Sequence, residues 1–175
     1  MRRSKLRSAA GGIIALSYRL RSWGGITGSS FVLRRPSTLR VGRGDRIRIG
    51  SGASIGPGAR MVTNGGILDI GADVFISQNA TLIAFSNLTI GDRTLIAENV
   101  SIHTENHGGV ADRMSYTSSP IVIGSDCWIG AGVVITAGCK IGARTTVGAN
   151  SVVTSDLQPD AVYVGVPAKF LRRSL

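Results

Sequence analysis

Both histidines of the chain lie in one short polar stretch, residues 103–120. His103 and His107 are four residues apart, and Glu105 lies between them. A histidine side chain changes its charge near neutral pH, so it can take a proton from a substrate as a general base. A neighbouring carboxylate can orient such a base by accepting from its second ring nitrogen. Glu105 has two equal interpretations: it orients a histidine in this way, or it is a solvated carboxylate of the loop.

The two cysteines are interpreted as core residues. Cys127 and Cys139 are two repeats apart in the six-residue period described next, where small inward residues belong. A nucleophilic thiol would need exposure and a neighbour that stabilises the thiolate. A zinc site of the carbonic anhydrase kind needs three histidines, and this chain has two. We therefore expect neither a metal site nor a nucleophilic cysteine.

The elements that must position these residues follow a six-residue period. An aliphatic residue followed by a small one recurs, most regularly at Ile123, Ile129, Ile135, Ile141, Val147 and Val153. This period fits neither an amphipathic helix nor a β-sandwich, whose strands recur about every 8–12 residues. It predicts very short strands and tight turns, stacked as coils that bury their apolar rows against one another. The period breaks after Ile102, so residues 103–120 are predicted to form an extruded loop.

Three ordered blocks resemble the hexapeptide-repeat acyltransferases, most closely the sugar and surface-polysaccharide O-acetyltransferases. The blocks are residues 99–108 (NVSIHTENHG), 123–130 (IGSDCWIG) and 164–169 (VGVPAK), and the resemblance spans roughly residues 40–173. It implies an all-β fold, a left-handed parallel β-helix with three repeats per coil. The handedness comes from the family alone.

The same resemblance implies an acetyl-CoA-dependent transfer to a sugar hydroxyl, with His107 as the catalytic base. Glu105 is our candidate for the group that orients His107. Because both cysteines are interpreted as core residues, we expect direct attack on the thioester, without an acyl-enzyme. Asn79 and His103 match positions near the acceptor sugar, although Asn79 is equally explained as an asparagine stacked at a coil corner. N-acetylation of an amino sugar and a non-catalytic β-helix scaffold remain alternatives.

Donor binding is also inferred from the family. The residues that match its coenzyme A positions are Trp128, Ala131, Ala149, Thr154, Lys169 and Arg172. Lys169 and Arg172 would supply cations for the nucleotide phosphates. Packing at a subunit interface is the alternative for Trp128, and plain solvation is the alternative for the basic C-terminus. The family forms trimers with each active site between two subunits, so we expect a homotrimer.

Charge is concentrated at the N-terminus. The 175 residues carry a net charge of +10, and twelve Lys and Arg against one acid, Asp45, lie within residues 1–48. We divide the chain into a basic segment predicted to be helical (1–38), the β-helix (39–155) and a basic C-terminal segment (156–175). Apolar residues of the first segment (Leu6, Ile13, Ile14, Leu16 and Leu20) would line one side of that helix. It either caps the coil or binds an anionic membrane through residues 1–25. No nucleic-acid motif accompanies the charge, and a cytoplasmic location is expected.

Overall fold

The computed structural model describes residues 4–5, 15–23, 25–34, 36–108 and 112–174, and these residues form strands and turns without a helix. This described part therefore holds no helix long and apolar enough to cross a membrane. The strands, in chain order, are β1 (Ser4–Lys5), β2 (Ala15–Trp23), β3 (Ile26–Arg34), β4 (Thr38–Arg40), β5 (Arg46–Ile49), β6 (Ser54–Ile55), β7 (Arg60–Thr63), β8 (Ile67–Ile70), β9 (Phe75–Ile76), β10 (Thr81–Ala84), β11 (Leu88–Ile90), β12 (Leu95–Ile96), β13 (Ser101–His103), β14 (Glu105–Gly108), β15 (Asp112–Ser118), β16 (Ile121–Ile123), β17 (Trp128–Ile129), β18 (Val134–Ile135), β19 (Lys140–Ile141), β20 (Thr146–Val147), β21 (Val152–Val153), β22 (Ala161–Val164) and β23 (Lys169–Arg173).

The strands stack in parallel as three faces of a solenoid. The first face runs from the start of β3 through β5, β8, β11, β16 and β19. The second face runs from the end of β3 through β6, β9, β12, β17, β20 and β22. The third face is formed by β4, β7, β10, β13, β18 and β21. Each coil gives one strand to each face, which confirms the predicted parallel β-helix of hexapeptide repeats.

Each two-residue strand of the coils sends one aliphatic side chain into the core, and the longer strands β5, β8, β11 and β16 of the first face send two each. On the third face the register aligns a fully buried column, Met61, Leu82, Ile102, Ile135 and Val153, each with 0% exposure. The residues on either side of an inward side chain point outward, as strand geometry requires. The six-residue period is therefore the spacing between successive inward side chains of one coil.

The corners between faces require an unusual backbone. A residue with positive φ recurs at the same position of the repeat, and those that are not glycine include Asp73, Asn79, Arg93, Asn99, Asp126, Arg144 and Asn150. Asparagine and aspartate tolerate this left-handed conformation better than most residues, and arginine does not. Arg93 (φ 56) is held by two hydrogen bonds of 2.7 and 2.8 Å to the Asp126 carboxylate one coil away. That guanidinium keeps the pKa of Asp126 below its usual range.

Close packing of the coils explains the small residue after each inward aliphatic. A Cβ added to Gly56 would lie 2.7 Å from the carbonyl carbon of Ser77 in the next coil, closer than real Cβ contacts. A larger residue would therefore push two coils apart at a corner.

The predicted N-terminal helix is wrong for the residues that the structure describes. Residues 15–23 form β2, which pairs antiparallel with β3, and β3 itself pairs with β5 and β6. The segment alternates apolar Leu16, Tyr18 and Leu20 with polar residues, which is a strand period. The coil stack thus begins at Ile26, before the expected boundary at residue 39. Leu6, Ile13 and Ile14 lie outside the described residues.

The C-terminal segment closes the other end of the stack. β22 continues the second face in parallel with β20, and β23 returns antiparallel along β22. Tyr163 of β22 and Phe170 of β23 pack edge to face, with ring centroids 5.9 Å apart. This pairing fixes the path of the strand that carries Lys169 and Arg172.

Candidate active site

The extruded segment is a β-hairpin, made of β14 and β15. His107 lies on β14 opposite Tyr116, and both residues are exposed. The register shifts directly after His107, where Gly108 faces Asp112. The insertion predicted from the break in the repeat is therefore present, with more regular structure than a loop.

The hairpin is anchored at its root. The Thr104 hydroxyl, which is buried, accepts hydrogen bonds from the backbone N–H groups of Phe85 (2.8 Å) and Ser86 (2.9 Å). Phe85 also contacts Tyr116 edge to face, with ring centroids 5.1 Å apart. Residues of the preceding coil thus brace both strands of the hairpin. His107 is therefore exposed to solvent on a hairpin whose base is held by contacts with the coil.

Glu105 orients the other histidine. Its Oε1 atom lies 2.9 Å from Nδ1 of His103, and no hydrogen bond joins it to His107 within the described residues. The expectation that Glu105 fixes the ring of His107 is therefore not met by this geometry. The reason is the bend at Thr104, which keeps His103 against the third face while β14 carries His107 away from it.

Ser101 also contacts His103, and it was not identified from the sequence as a candidate site residue. Its Oγ atom lies 2.8 Å from Nε2 of His103, so both ring nitrogens of His103 are hydrogen-bonded. The signal available was the alternation of Ser101, His103 and Glu105, because every second residue of a strand points to the same side. We define these three residues as the Ser101 cluster.

Asn79 lies at a corner between the second and third faces. Its φ of 57° is left-handed, and its backbone N–H donates to the Pro57 carbonyl one coil away at 3.0 Å. The alternative of an asparagine stacked at a corner accounts for this geometry. A contact with an acceptor sugar remains a prediction.

The expected donor residues lie on the later coils. Ala131 and Ala149 occupy the same corner on successive coils, where the Asn150 backbone N–H donates to the Ala131 carbonyl at 2.8 Å. Trp128, on the second face, is 56% exposed. Thr154 follows Val153, which stands two coils above Ile102 on the third face. Trp128 thus lies on the outer surface of the second face, Ala131 and Ala149 lie at its corner with the third face, and Thr154 lies at the end of the third face.

Lys169 and Arg172 are both exposed on β23. In the described part of the chain neither forms an ion pair with an acidic residue. Two cations without acidic partners are suited to bind phosphate groups. Their placement beside the last coils agrees with the position of the other expected donor residues.

Both cysteines lie in the core, as predicted. Cys127 is 1% exposed and Cys139 is 2% exposed. Burial raises the pKa of each thiol, so the reactive thiolate is disfavoured. Among the described residues, no group of three His, Cys, Asp or Glu side chains could hold a metal ion.

The repeat region is similar to known transferases. Residues 120–155 match the family described as bacterial transferase hexapeptide (six repeats). WbbJ of Escherichia coli (strain K12), named as a lipopolysaccharide biosynthesis O-acetyl transferase, is 31% identical over 155 residues, which cover 81% of this chain and 78% of WbbJ. Galactoside O-acetyltransferase of the same organism is 35% identical over 111 residues, 62% of this chain and 55% of that enzyme. The match thus spans about half the length of the galactoside enzyme.

A solved structure extends this similarity to the fold. The hexapeptide-repeat containing acetyltransferase VCA0836 of Vibrio cholerae O1 biovar eltor, complexed with acetyl coenzyme A, has a TM-score of 0.54 and 31% identity. The superposition covers 87% of this chain and 73% of that one.

Proposed function

Since this chain belongs to the hexapeptide-repeat acyltransferase family, we propose that it transfers an acetyl group from acetyl-CoA to a hydroxyl group of a sugar. The observation that carries the proposal is His107, exposed on a hairpin braced against the coil. The names of WbbJ and of the galactoside enzyme, both O-acetyl transferases, support the acceptor class. The site is proposed to act in the cytoplasm, in polysaccharide or glycoconjugate synthesis.

In the proposed reaction His107 removes the proton of the acceptor hydroxyl as the oxygen attacks the thioester carbonyl. The bond from carbon to sulfur then breaks, and the departing sulfur takes the proton from His107. Neither buried cysteine takes part, because each thiol is shielded and held in its protonated form. The proposed transfer to the sugar is direct, within a complex of enzyme, donor and acceptor.

The donor is proposed to lie along the last coils. Its pantetheine arm would follow the corner formed by Ala131 and Ala149 towards Thr154, with Trp128 at its side. Lys169 and Arg172 would bind the nucleotide phosphates, since neither cation is engaged by an acid in the described residues. Acetyl coenzyme A bound to VCA0836 supports this choice of donor.

An acceptor screen tests the function. Acetyl-CoA is supplied with a panel of sugars, and both free thiol and acetylated sugar are measured. Acetylation of a sugar hydroxyl is expected. Acetylation confined to amino groups would replace the proposal with N-acetylation, and no acetylated product from any acceptor would favour a scaffold.

We also propose that the chain assembles as a homotrimer. Phe75, Leu95 and Trp128 are adjacent in the register of the second face and are 43, 46 and 56% exposed. Such a contiguous apolar stripe is typical of a surface that another chain covers. Light scattering should give about three times the chain mass of 18.2 kDa. A mass of one chain at micromolar concentration would contradict the trimer.

A charge substitution locates the interface. Leu95→Glu should lower the assembled mass, because it places a charge in the apolar stripe. Val122→Glu is the matched control, since Val122 is 40% exposed on the first face, away from the stripe. Equal loss of assembly in both variants would assign the effect to folding rather than to the stripe.

The basic N-terminus is proposed to bind an anionic membrane surface. Residues 1–25 hold six Lys and Arg and no acid, and each cation near such a surface adds about 1 kcal/mol. Co-sedimentation with anionic vesicles should therefore be strong at low salt, weaken with added salt and disappear when residues 1–25 are removed. If the truncated protein, still folded, bound equally well, the segment would be a structural part of the coil end only.

A further inference from the structure

The Ser101 cluster has the geometry of a nucleophile, a base and an orienting acid. Ser101 Oγ lies 2.8 Å from His103 Nε2, and His103 Nδ1 lies 2.9 Å from Glu105 Oε1. Both distances fall within the range of about 2.6–3.2 Å that links a nucleophile to its base. Ser101 and His103 lie on β13, Glu105 begins β14 after the bend at Thr104, and these two contacts join the three side chains.

The chemistry of the three groups determines which atom donates in each of the two hydrogen bonds. An ionised carboxylate only accepts hydrogen bonds, so Nδ1 of His103 carries the proton and donates to Glu105. In the neutral ring Nε2 then holds the free lone pair, and the Ser101 hydroxyl donates to it. This is the arrangement in which a histidine can remove the serine proton.

Burial and exposure favour a chemical role. The Glu105 side chain is 14% exposed, and its Oε2 atom is buried without a hydrogen-bond partner. A carboxylate retained only for structure would be expected to satisfy both oxygens, since an unpaired buried one is costly. The His103 side chain is 38% exposed and Ser101 is partly exposed, so neither residue is sealed within the core.

From this geometry we propose a second activity: Ser101, His103 and Glu105 hydrolyse short acyl esters and thioesters through an acyl-serine intermediate. Ser101 Oγ bonds to the acyl carbon while its proton passes to His103 Nε2. The bond to the leaving sulfur or oxygen breaks, and the departing thiolate or alkoxide takes that proton; a weakly basic leaving group such as 4-nitrophenolate departs as the anion, and the proton passes to solvent. Water then attacks the acyl-serine and gives a proton to His103, which returns it to Ser101 Oγ as the carboxylic acid departs.

This activity is independent of the proposed transfer reaction and is tested without sugar or coenzyme A. The full chain is mixed with 4-nitrophenyl acetate, and nitrophenolate release is followed. A sample quenched in acid is examined by mass spectrometry for one added acetyl group, and peptide mapping locates it. We expect the acetyl group on Ser101. In Ser101→Ala the rate of nitrophenolate release should fall by a factor of at least about 100.

Further variants separate chemistry from folding. Ser54→Ala, on the second face, is the matched control and should react like the parent protein. Ser101→Cys should still gain the acetyl group at residue 101, which gives a positive result even if Ser101→Ala misfolds. Glu105→Gln should lower kcat with little change in KM, because its role is to position His103. Undiminished release in a folded Ser101→Ala, or an acetyl group found only on other residues, would overturn the proposal.

Discussion

His107→Ala is expected to lower kcat for acetyl transfer to a sugar by about 100–10,000-fold, the loss typical of removing a general base. The hairpin root is held by Thr104 and by the contact between Phe85 and Tyr116, and none of these contacts involves the His107 side chain. The substitution should therefore remove the base without releasing the hairpin. The measurement is the rate of formation of acetylated sugar, which excludes thiol released by hydrolysis.

Two comparisons make this result specific. The Kd for coenzyme A should stay within about twofold, because the expected donor residues lie on later coils than the hairpin. Asn106→Ala, at the exposed neighbouring position of β14, serves as the control and should keep most of the transfer rate. Near-normal turnover in His107→Ala would remove His107 from the proposed mechanism.

The fold was predictable because its repeat is local. Each inward aliphatic residue and the small residue after it meet the packing requirements of one coil and its two neighbours. The six-residue period therefore appears in the sequence of every coil. The predicted N-terminal helix is wrong because it rests on a helical spacing of the apolar residues, while Leu16, Tyr18 and Leu20 follow the strand period. In the structure β2 pairs with β3, so strand pairing rather than a packed helix extends that end of the stack.

The site was predictable only in part. The break in the repeat located the hairpin and His107, since an insertion must leave the coil between two repeats. Glu105 is two residues from each histidine, so sequence spacing alone could not choose its partner. The bend at Thr104 directs Glu105 towards His103. This bend is held by hydrogen bonds between Thr104 and the backbone of Phe85 and Ser86, which lie about twenty residues earlier in the chain.

Leu82→Ala should lower the free energy of unfolding by about 2–5 kcal/mol. Leu82 has 0% exposure and stacks between Met61 and Ile102 in the buried column of the third face. Coils separated by strand spacing cannot collapse into the space left by a leucine, because the backbone hydrogen bonds of the ladder fix their separation. The cavity is therefore retained, and the cost includes lost contacts with both neighbouring coils.

The matched control is Leu171→Ala, on β23, where the leucine is 56% exposed. Removing the same atoms from a largely solvated side chain should change stability by about 0.5 kcal/mol or less. Both variants are unfolded in urea at the same protein concentration as the parent, so that any contribution from assembly is equal. Equal losses in the two variants would mean that the third-face column does not stabilise the stack as a packed core. A loss confined to Leu82→Ala would show that stability resides in the inward row, the same row whose period of six appears in the sequence.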